Sequence, residues 1–378
     1  MSNPVYVLLM LCFMIILSLY VGRTNLGKQF GSALLVILFT AIIANLKLIP
    51  SASNTIKLYS IIFEYIAPIS IFFLLLDVNL ISIKKAGLPM ITLFVVGSLS
   101  TTLGILISWI IISPENVLGS DANVIAGMLT GTYTGGSVNF NAVALEYGFQ
   151  KKGILYAGTV AVDNVVTTIW ILATLTFPLI LSKIWKGKVF LKKTIAIEEN
   201  FDDNKMDLVS LASLIFLGIS AFYISEILAK KFNSIPSILI LSTIGILLAQ
   251  TNFISKLKGS HNLGLYLVHL FLAVIGAYCE ISAVYELKEI GITLFLFTSV
   301  SVLIHGILII IMGGLFYRDW QMVAIASQTN VGGGASAIAL AETFKRNELI
   351  LPSILMGTLG NAIGTYLGFF VIYILNNI

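Results

Sequence analysis

The chain has 378 residues, 58% of them hydrophobic and 11% charged, with a formal net charge of +4 and a mean hydropathy of +0.99. This composition excludes a soluble globular domain and predicts an all-α polytopic membrane protein, with the lipid bilayer as its first partner. The basic residues sit in short loops between apolar runs, so the net charge is no nucleic-acid footprint, and no nucleic-acid partner is expected.

In chain order, Met1-Ser-Asn-Pro carries no basic residue, whereas Arg23 and Lys28 follow the first apolar run. That is the reverse of a secretory signal, so the first segment is expected to be retained with its N-terminus outside. Apolar runs long enough to cross a bilayer fall near 5–22, 30–49, 56–76, 86–112, 151–184, 207–229, 234–250, 262–283, 288–316 and 348–375. Two glycine-rich segments, about 120–147 and 320–343, are less apolar and bring the total to twelve, six per half. The halves are an N-terminal repeat, 1–184, and a C-terminal repeat, 207–378. Between them lies a hydrophilic linker, 185–206, which carries Lys186, Lys188, Lys192 and Lys193 and then Glu198, Glu199, Asp202 and Asp203; it reads as a solvated cytoplasmic connector. Cys12 and Cys279 lie in apolar segments and read as small fillers.

Several ionisable residues fall within or at the ends of these segments. Asp77 and Glu280 end the third segment of each half, where a solvated carboxylate needs no function. Glu64, beside Pro68, is a candidate buried acid. His269 and His305 are isolated in apolar runs and are expected to be hydrogen-bonded core residues, with His261 in a loop.

The two glycine-rich segments resemble each other. Residues 126–171 laid on 323–368 without a gap, an offset of 197, give seven identical pairs: Thr132/Thr329, Gly135/Gly332, Gly136/Gly333, Ala142/Ala339, Ala144/Ala341, Asn164/Asn361 and Thr168/Thr365. A paired interruption of this kind points to a transport site between repeats. Gly135, Gly136, Gly332, Gly333 and Gly334 let the backbone leave helical geometry. The freed amides and carbonyls there can hold an anion and a cation respectively. Thr132, Ser137, Asn139 and Asn141, with Thr329, Asn330 and Ser336, complete the expected solute site.

In the segment after the first interruption, Asp163, Asn164, Thr167 and Thr168 share one helical face, and an intramembrane carboxylate commonly marks an ion path. The second half has Asn361 and Thr365 at matching places but Gly360 in place of the acid. These six polar residues form the expected ion site, for Na⁺ or H⁺. Gly357, Gly360, Gly364 and Gly368 read as a stripe for tight helix packing.

The placement of basic residues selects a topology. If all twelve segments cross, the 22 basic residues divide 11 to 11; if the glycine-rich segments enter and leave on one side, the division is 15 inside to 7 outside. The second arrangement has five crossings and one re-entrant element per half; its variant replaces each re-entrant element by a broken crossing helix, with a further half-helix elsewhere. It therefore inverts the halves relative to each other and leaves both termini outside.

The motifs Gly131-Thr-Tyr-Thr-Gly-Gly-Ser-Val-Asn-Phe-Asn-Ala-Val-Ala, Ser327-Gln-Thr-Asn-Val-Gly-Gly-Gly-Ala-Ser-Ala and Leu351-Pro-Ser-Ile-Leu-Met-Gly-Thr-Leu-Gly-Asn-Ala-Ile-Gly-Thr-Tyr-Leu-Gly resemble the YjcL-like bacterial integral membrane family, whose function is unknown. More distantly, the chain is similar to sodium/glutamate symporters and to the bile-acid symporter and cation/proton antiporter superfamily. That resemblance implies inverted repeats, paired interrupted helices in a mobile core, an elevator-type mechanism and a homodimer. Asp163-Asn164 also resembles the acidic/amide pair of cation/proton antiporters. The expected function is a secondary transporter of the bacterial cytoplasmic membrane, coupling Na⁺ or H⁺ to movement of a small anionic organic solute. The alternative is a cation/proton antiporter without an organic substrate. No cofactor and no enzymatic activity are expected, since the sequence offers no phosphate loop, metal-ligand cluster or nucleophile–base pair.

Overall fold

The computed structural model describes residues 3–24, 27–51, 54–186, 207–232, 235–279 and 287–377. Glu280 and most of the 185–206 linker lie outside the described residues. The described chain is helical: α1 Pro4–Val21, α2 Gly27–Asn45, α3 Lys57–Ile61, α4 Ala67–Leu75, α5 Leu88–Ile112, the short α6 Glu115–Leu118, α7 Asp121–Gly135, α8 Ser137–Glu146 and α9 Gly153–Ile184. The second half follows with α10 Leu208–Lys231, α11 Ser237–Ala249, α12 Ser260–Ala277, α13 Leu287–Phe316, α14 Trp320–Val331, α15 Gly333–Thr343 and α16 Ile350–Leu375.

Local chemistry sets several of these boundaries. Asn3 caps α1 by accepting from Val5 N at 2.9 Å, with Pro4 at the first helical position. Asp207 and Asp319 cap α10 and α14 by accepting from Ser210 N and Met322 N. A π-helical turn, Ile62–Ile66, joins α3 to α4 just before Pro68. Glu64 sits on this turn and is exposed, which corrects its expected place as a buried acid: it faces a cavity that Glu146 and Glu226 also line.

Among the described residues, eight helical stretches are long and apolar enough to span a bilayer. Two of the expected crossings are shorter. One is the part of α2 beyond its bend at Gly31 (φ 72°, ψ 151°), and the other is α11 with 13 residues. At 1.5 Å per residue, α11 rises about 20 Å, less than the hydrocarbon thickness. Its flanks extend its reach. Gln250, just past its end, donates to Val78 O at 2.8 Å and accepts from Leu80 N at 2.9 Å. Runs of exposed apolar side chains, such as Leu99, Leu103 and Ile107 on α5 and Val165, Ile169 and Leu172 on α9, give the chain a lipid-compatible surface. This is a multi-pass membrane protein.

The packing of one half has counterparts in the other. α1 lies on α2 and α10 on α11; α12 packs against α1 and α2, and α4 against α10 and α11; α7 packs on α16, and α14 on α9. Three contacts join like-placed helices, α4 with α12, α5 with α13 and α7 with α14. In the α5–α13 pair the backbones approach closely: a Cβ on Gly104 would lie 2.5 Å from Ser301 O.

Candidate functional site: two helical hairpins and the helix between them

The two glycine-rich segments fold as hairpins of two helices, α7–α8 and α14–α15. Each breaks at a glycine with positive φ, Gly136 (φ 99°) and Gly333 (φ 78°), and these two are partners in the 197-residue frame. The frame also holds for other boundaries. α8 ends at Glu146 and α15 at Thr343; α9 begins at Gly153 and α16 at Ile350. Even the contacts inside the hairpins correspond. A Cβ on Gly131 would meet Asn139 Cβ at 3.1 Å, and the equivalent pair, Gln328 and Ser336, is joined by a 2.9 Å hydrogen bond from Gln328 Nε2 to Ser336 Oγ.

Each hairpin has both ends on one face of the protein. Asp121 at the start of α7 pairs with Lys152 just beyond α8, at 2.5 Å. Asp319 at the start of α14 pairs with Arg346 just beyond α15, at 2.9 Å. The two faces are opposite, because α9 runs from Gly153 beside the first clasp to its far end, where Trp185 packs on Trp320 with ring centroids 5.6 Å apart. The clasps differ in setting. The Lys152 side chain is 51% exposed, whereas those of Arg346 and Asp319 are 9% and 2% exposed. Burial works against the Arg346 charge, but hydrogen bonds from Arg346 to Asp319 and Glu348 outweigh it and hold its pKa above the usual value.

Both tips rest on the same stretch of α16. A Cβ on Gly135 would lie 2.0 Å from the Gly360 carbonyl carbon and 2.5 Å from Asn361 N; one on Gly334 would lie 3.5 Å from Gly357 Cα. The α16 stripe anticipated from sequence is indeed a packing surface, and its partner is a matching stripe on α7. Gly127 meets Gly368, Gly131 meets Gly364 and Gly135 meets Gly360. Around Gly136 and Gly333 a Cβ would find nothing within 4 Å, so both breaks face open space.

The expected site residues divide into two groups. Several are committed to the fold. Asn139 is buried; its Oδ1 accepts from Thr365 N (3.0 Å) and Thr365 Oγ1 (2.7 Å), and its Nδ2 donates to Gly360 O (3.2 Å). Asn141 accepts from the Tyr156 hydroxyl. Asn330 accepts from Ser98 Oγ at 2.9 Å and donates to Phe94 O and Ala326 O. Thr329 donates to Ile325 O, Thr168 to Asn164 O, and Thr132 is buried on α7. The others line the open region. Ser137 is exposed at the start of α8, Gly332, Gly333, Gly334 and Ser336 are partly exposed, and the Asn164 and Asn361 carboxamides have no hydrogen-bond partner among the described residues. Asp163 is half-buried and accepts from Thr167 Oγ1 at 3.3 Å.

Sequence reasoning missed two groups here. The Tyr133 hydroxyl is buried beside Asp163 and Thr167 and makes no hydrogen bond of normal geometry. Behind it lies a buried polar chain: His305 Nδ1 is 3.0 Å from Gly97 O and from Thr101 Oγ1, His305 Nε2 is 2.9 Å from Ser327 Oγ, and Thr101 donates to Tyr133 O at 2.9 Å. A carbonyl can only accept, so in the neutral ring Nδ1 carries the proton and Nε2 accepts from Ser327. Trp170 Nε1 in turn donates to Ser327 Oγ at 3.1 Å. This chain ties α5, α9, α13 and α14 together, in keeping with the core role expected of His305. His269 is likewise bonded, to Leu265 O and Ser32 Oγ. Asp77 accepts from Ser260 Oγ and pairs with His261 at a helix start.

Two helical hairpins opening at opposite faces and meeting on one glycine-striped helix define a multi-pass membrane protein with paired interrupted helices. The chain belongs to the family described as Protein of unknown function (DUF819), whose model matches residues 7–378. It is 25% identical over 373 residues to the Uncharacterized membrane protein YjcL of Bacillus subtilis (strain 168), which covers 92% of this chain and 91% of that protein.

Proposed function

We propose that this protein is a secondary active transporter of the bacterial cytoplasmic membrane, built from two inverted repeats and working by an elevator-type motion. The observation that carries the reading is the meeting of the two glycine-broken tips over one turn of α16, Gly357–Asn361, with open space at each break. The first amides of α8 and α15 face that space and suit an anionic group of a small organic solute. The solute-facing set narrows to Gly136, Ser137, Gly333, Gly334 and Asn361. Asp163, with Asn164 and Thr167, would bind the coupling cation, Na⁺ or H⁺.

The test is uptake into proteoliposomes, screened across small carboxylates with imposed Na⁺ or H⁺ gradients. Gradient-dependent, saturable uptake of an organic anion supports the proposal. Na⁺/H⁺ exchange that needs no solute would assign the protein to the antiporter class instead, and inactivity in both assays across the screen would reject transport by this site.

A further inference from the structure

A groove of about 500 Å³ opens on the flank of the protein, between α5, α16 and the end of α11. Leu99 of α5, Leu359 and Ile363 of α16, Ile246 of α11 and Leu80 are among its walls. Two residues bring polar side-chain atoms to the lining, and both are committed elsewhere. Ser98 Oγ donates to Asn330 Oδ1 at 2.9 Å, and the Tyr366 hydroxyl pairs with Thr243 Oγ1 at 2.7 Å. The groove therefore offers its occupant hydrocarbon and no free side-chain hydrogen-bonding group.

The depth of the groove follows from α11. That helix starts beside the end of α8, where Ile238 N donates to Glu146 at 3.3 Å, on the face of the Asp121–Lys152 clasp. Its far end is tied to Leu80, whose N donates to Gln250 at 2.9 Å. A rise of about 20 Å stops short of the opposite membrane surface. The 3₁₀ turn Ile81–Ala86 follows Leu80 and packs on α16 and α5; its Ile83 and Ala86 join the cluster of Trp320 and Leu349 beside the Asp319–Arg346 clasp. The groove thus lies toward the second clasp's face, with this turn between it and the membrane surface.

An independent observation on the turn identifies the occupant. Lys84 and Lys85 follow Leu80 by four and five residues; both are exposed, and neither is in an ion pair among the described residues. At 2.0 Å per residue their Cα atoms stand about 8 and 10 Å beyond the groove wall, within reach of a lysine side chain and a lipid headgroup. Ile81 and Leu88, on either side of them, are 71% and 73% exposed and suit the boundary between headgroups and hydrocarbon. The positive-inside count puts both lysines on the cytoplasmic side, where anionic lipids concentrate. An apolar groove with two unpaired cations at its surface end complements a molecule that has an acyl chain and a negative head.

We propose that this groove binds an anionic phospholipid, with one acyl chain along Leu99, Ile246 and Ile363 and the phosphate held by Lys84 and Lys85. Leu359 and Ile363 flank the α16 turn on which both hairpin tips rest, and α11 packs on α4 and α10. A bound lipid therefore joins α16 to the group of α4, α10 and α11.

The experiment is native mass spectrometry of the full-length protein released from detergent and titrated with dioleoyl phosphatidylglycerol or dioleoyl phosphatidylcholine. One phosphatidylglycerol adduct should saturate about tenfold more tightly than the phosphatidylcholine adduct, and Lys84→Gln combined with Lys85→Gln should abolish that preference. Leu99→Trp, which fills the groove, should weaken binding of both lipids. Leu103→Trp, one turn along α5 and outside the groove, should not. All four positions are exposed, so these changes spare the packed interior. No saturable adduct, or equal affinity for the two lipids, in the wild-type protein overturns the proposal. So does a preference that the double lysine variant keeps, or binding that Leu99→Trp leaves unchanged. Displacement of phosphatidylglycerol by glycerol phosphate alone would reduce the site to a phosphate contact and refute the groove.

Discussion

Gly135→Ala is the most direct probe of the hairpin–helix contact. The added Cβ would lie 2.0 Å from the Gly360 carbonyl carbon and the same distance from its oxygen, and 2.5 Å from Asn361 N. Ordinary contact begins near 3.4 Å, so α7 and α16 must separate by about 1.4 Å (3.4 − 2.0) at this point. The obstacle is backbone on both helices, so no side chain can rotate away. The cost should fall at the upper end of the overpacking range, about 3 kcal/mol. Thermal unfolding of the detergent-purified protein should then shift down by several degrees, about 3–6 °C, and solute uptake should fall sharply because the tip moves with the helix. Gly306→Ala is the matched control: the atoms nearest its Cβ belong to the Trp170 ring, the first at 2.0 Å, so Trp170→Phe should relieve it. No such suppressor should exist for Gly135→Ala, since its neighbour is already glycine. An unchanged melting temperature and near-normal uptake in Gly135→Ala would refute the account of α7–α16 packing.

Asp163→Asn should abolish cation dependence of uptake while solute binding partly survives, and Asn361→Ala should weaken solute binding with less effect on coupling; wild-type cation dependence in Asp163→Asn would make that carboxylate structural. Opposite hairpin mouths predict that Lys151→Cys and Lys345→Cys, in a background lacking Cys12 and Cys279, react with an impermeant thiol reagent from opposite sides of the membrane; the positive-inside count places Lys151 outside, and labelling of both from one side would reject the arrangement. The clasps should differ in strength. Asp319→Asn leaves the buried Arg346 with one carboxylate, Glu348, and the neutral Gln321 Oε1, and should cost about 2–3 kcal/mol, whereas Asp121→Asn should cost under about 1 kcal/mol because Lys152 stays solvated; equal shifts in thermal unfolding would contradict this.

The crossings and the two breaks were legible because each rests on a one-dimensional signal. An apolar run of bilayer length and a glycine pair can be read without knowing what packs where. The frame that pairs Gly136 with Gly333 was legible for the same reason, and both adopt the backbone that only glycine takes easily. Side-chain direction was not. Asn139 and Asn330 look like ligands in sequence, yet their carboxamides face helices more than 200 residues away, Thr365 and Ser98. The α7 stripe had a signal, since Gly127, Gly131 and Gly135 recur every four residues and match Gly360, Gly364 and Gly368. What one chain cannot reveal is that these two stripes meet. The convergence of Glu64, Glu146 and Glu226 has no local signature, because it depends on three separate elements arriving at one cavity.

The matched stripes also restrict how α7 and α16 can move. Gly127, Gly131 and Gly135 oppose Gly368, Gly364 and Gly360 with the same four-residue interval on both helices. A displacement of one or two residues would bring a side chain onto facing backbone, whereas a displacement of four returns glycine to glycine at two of the three contacts and sets the third against Met356 or Ile372. If the two helices slide at all, the stripes favour steps of four residues, about 6 Å at 1.5 Å per residue, like the teeth of a ratchet. Between teeth the hairpin and α16 must travel as a single piece, and smaller adjustments have to be absorbed where the chain leaves them, in the turns that precede Asp121 and Ile350.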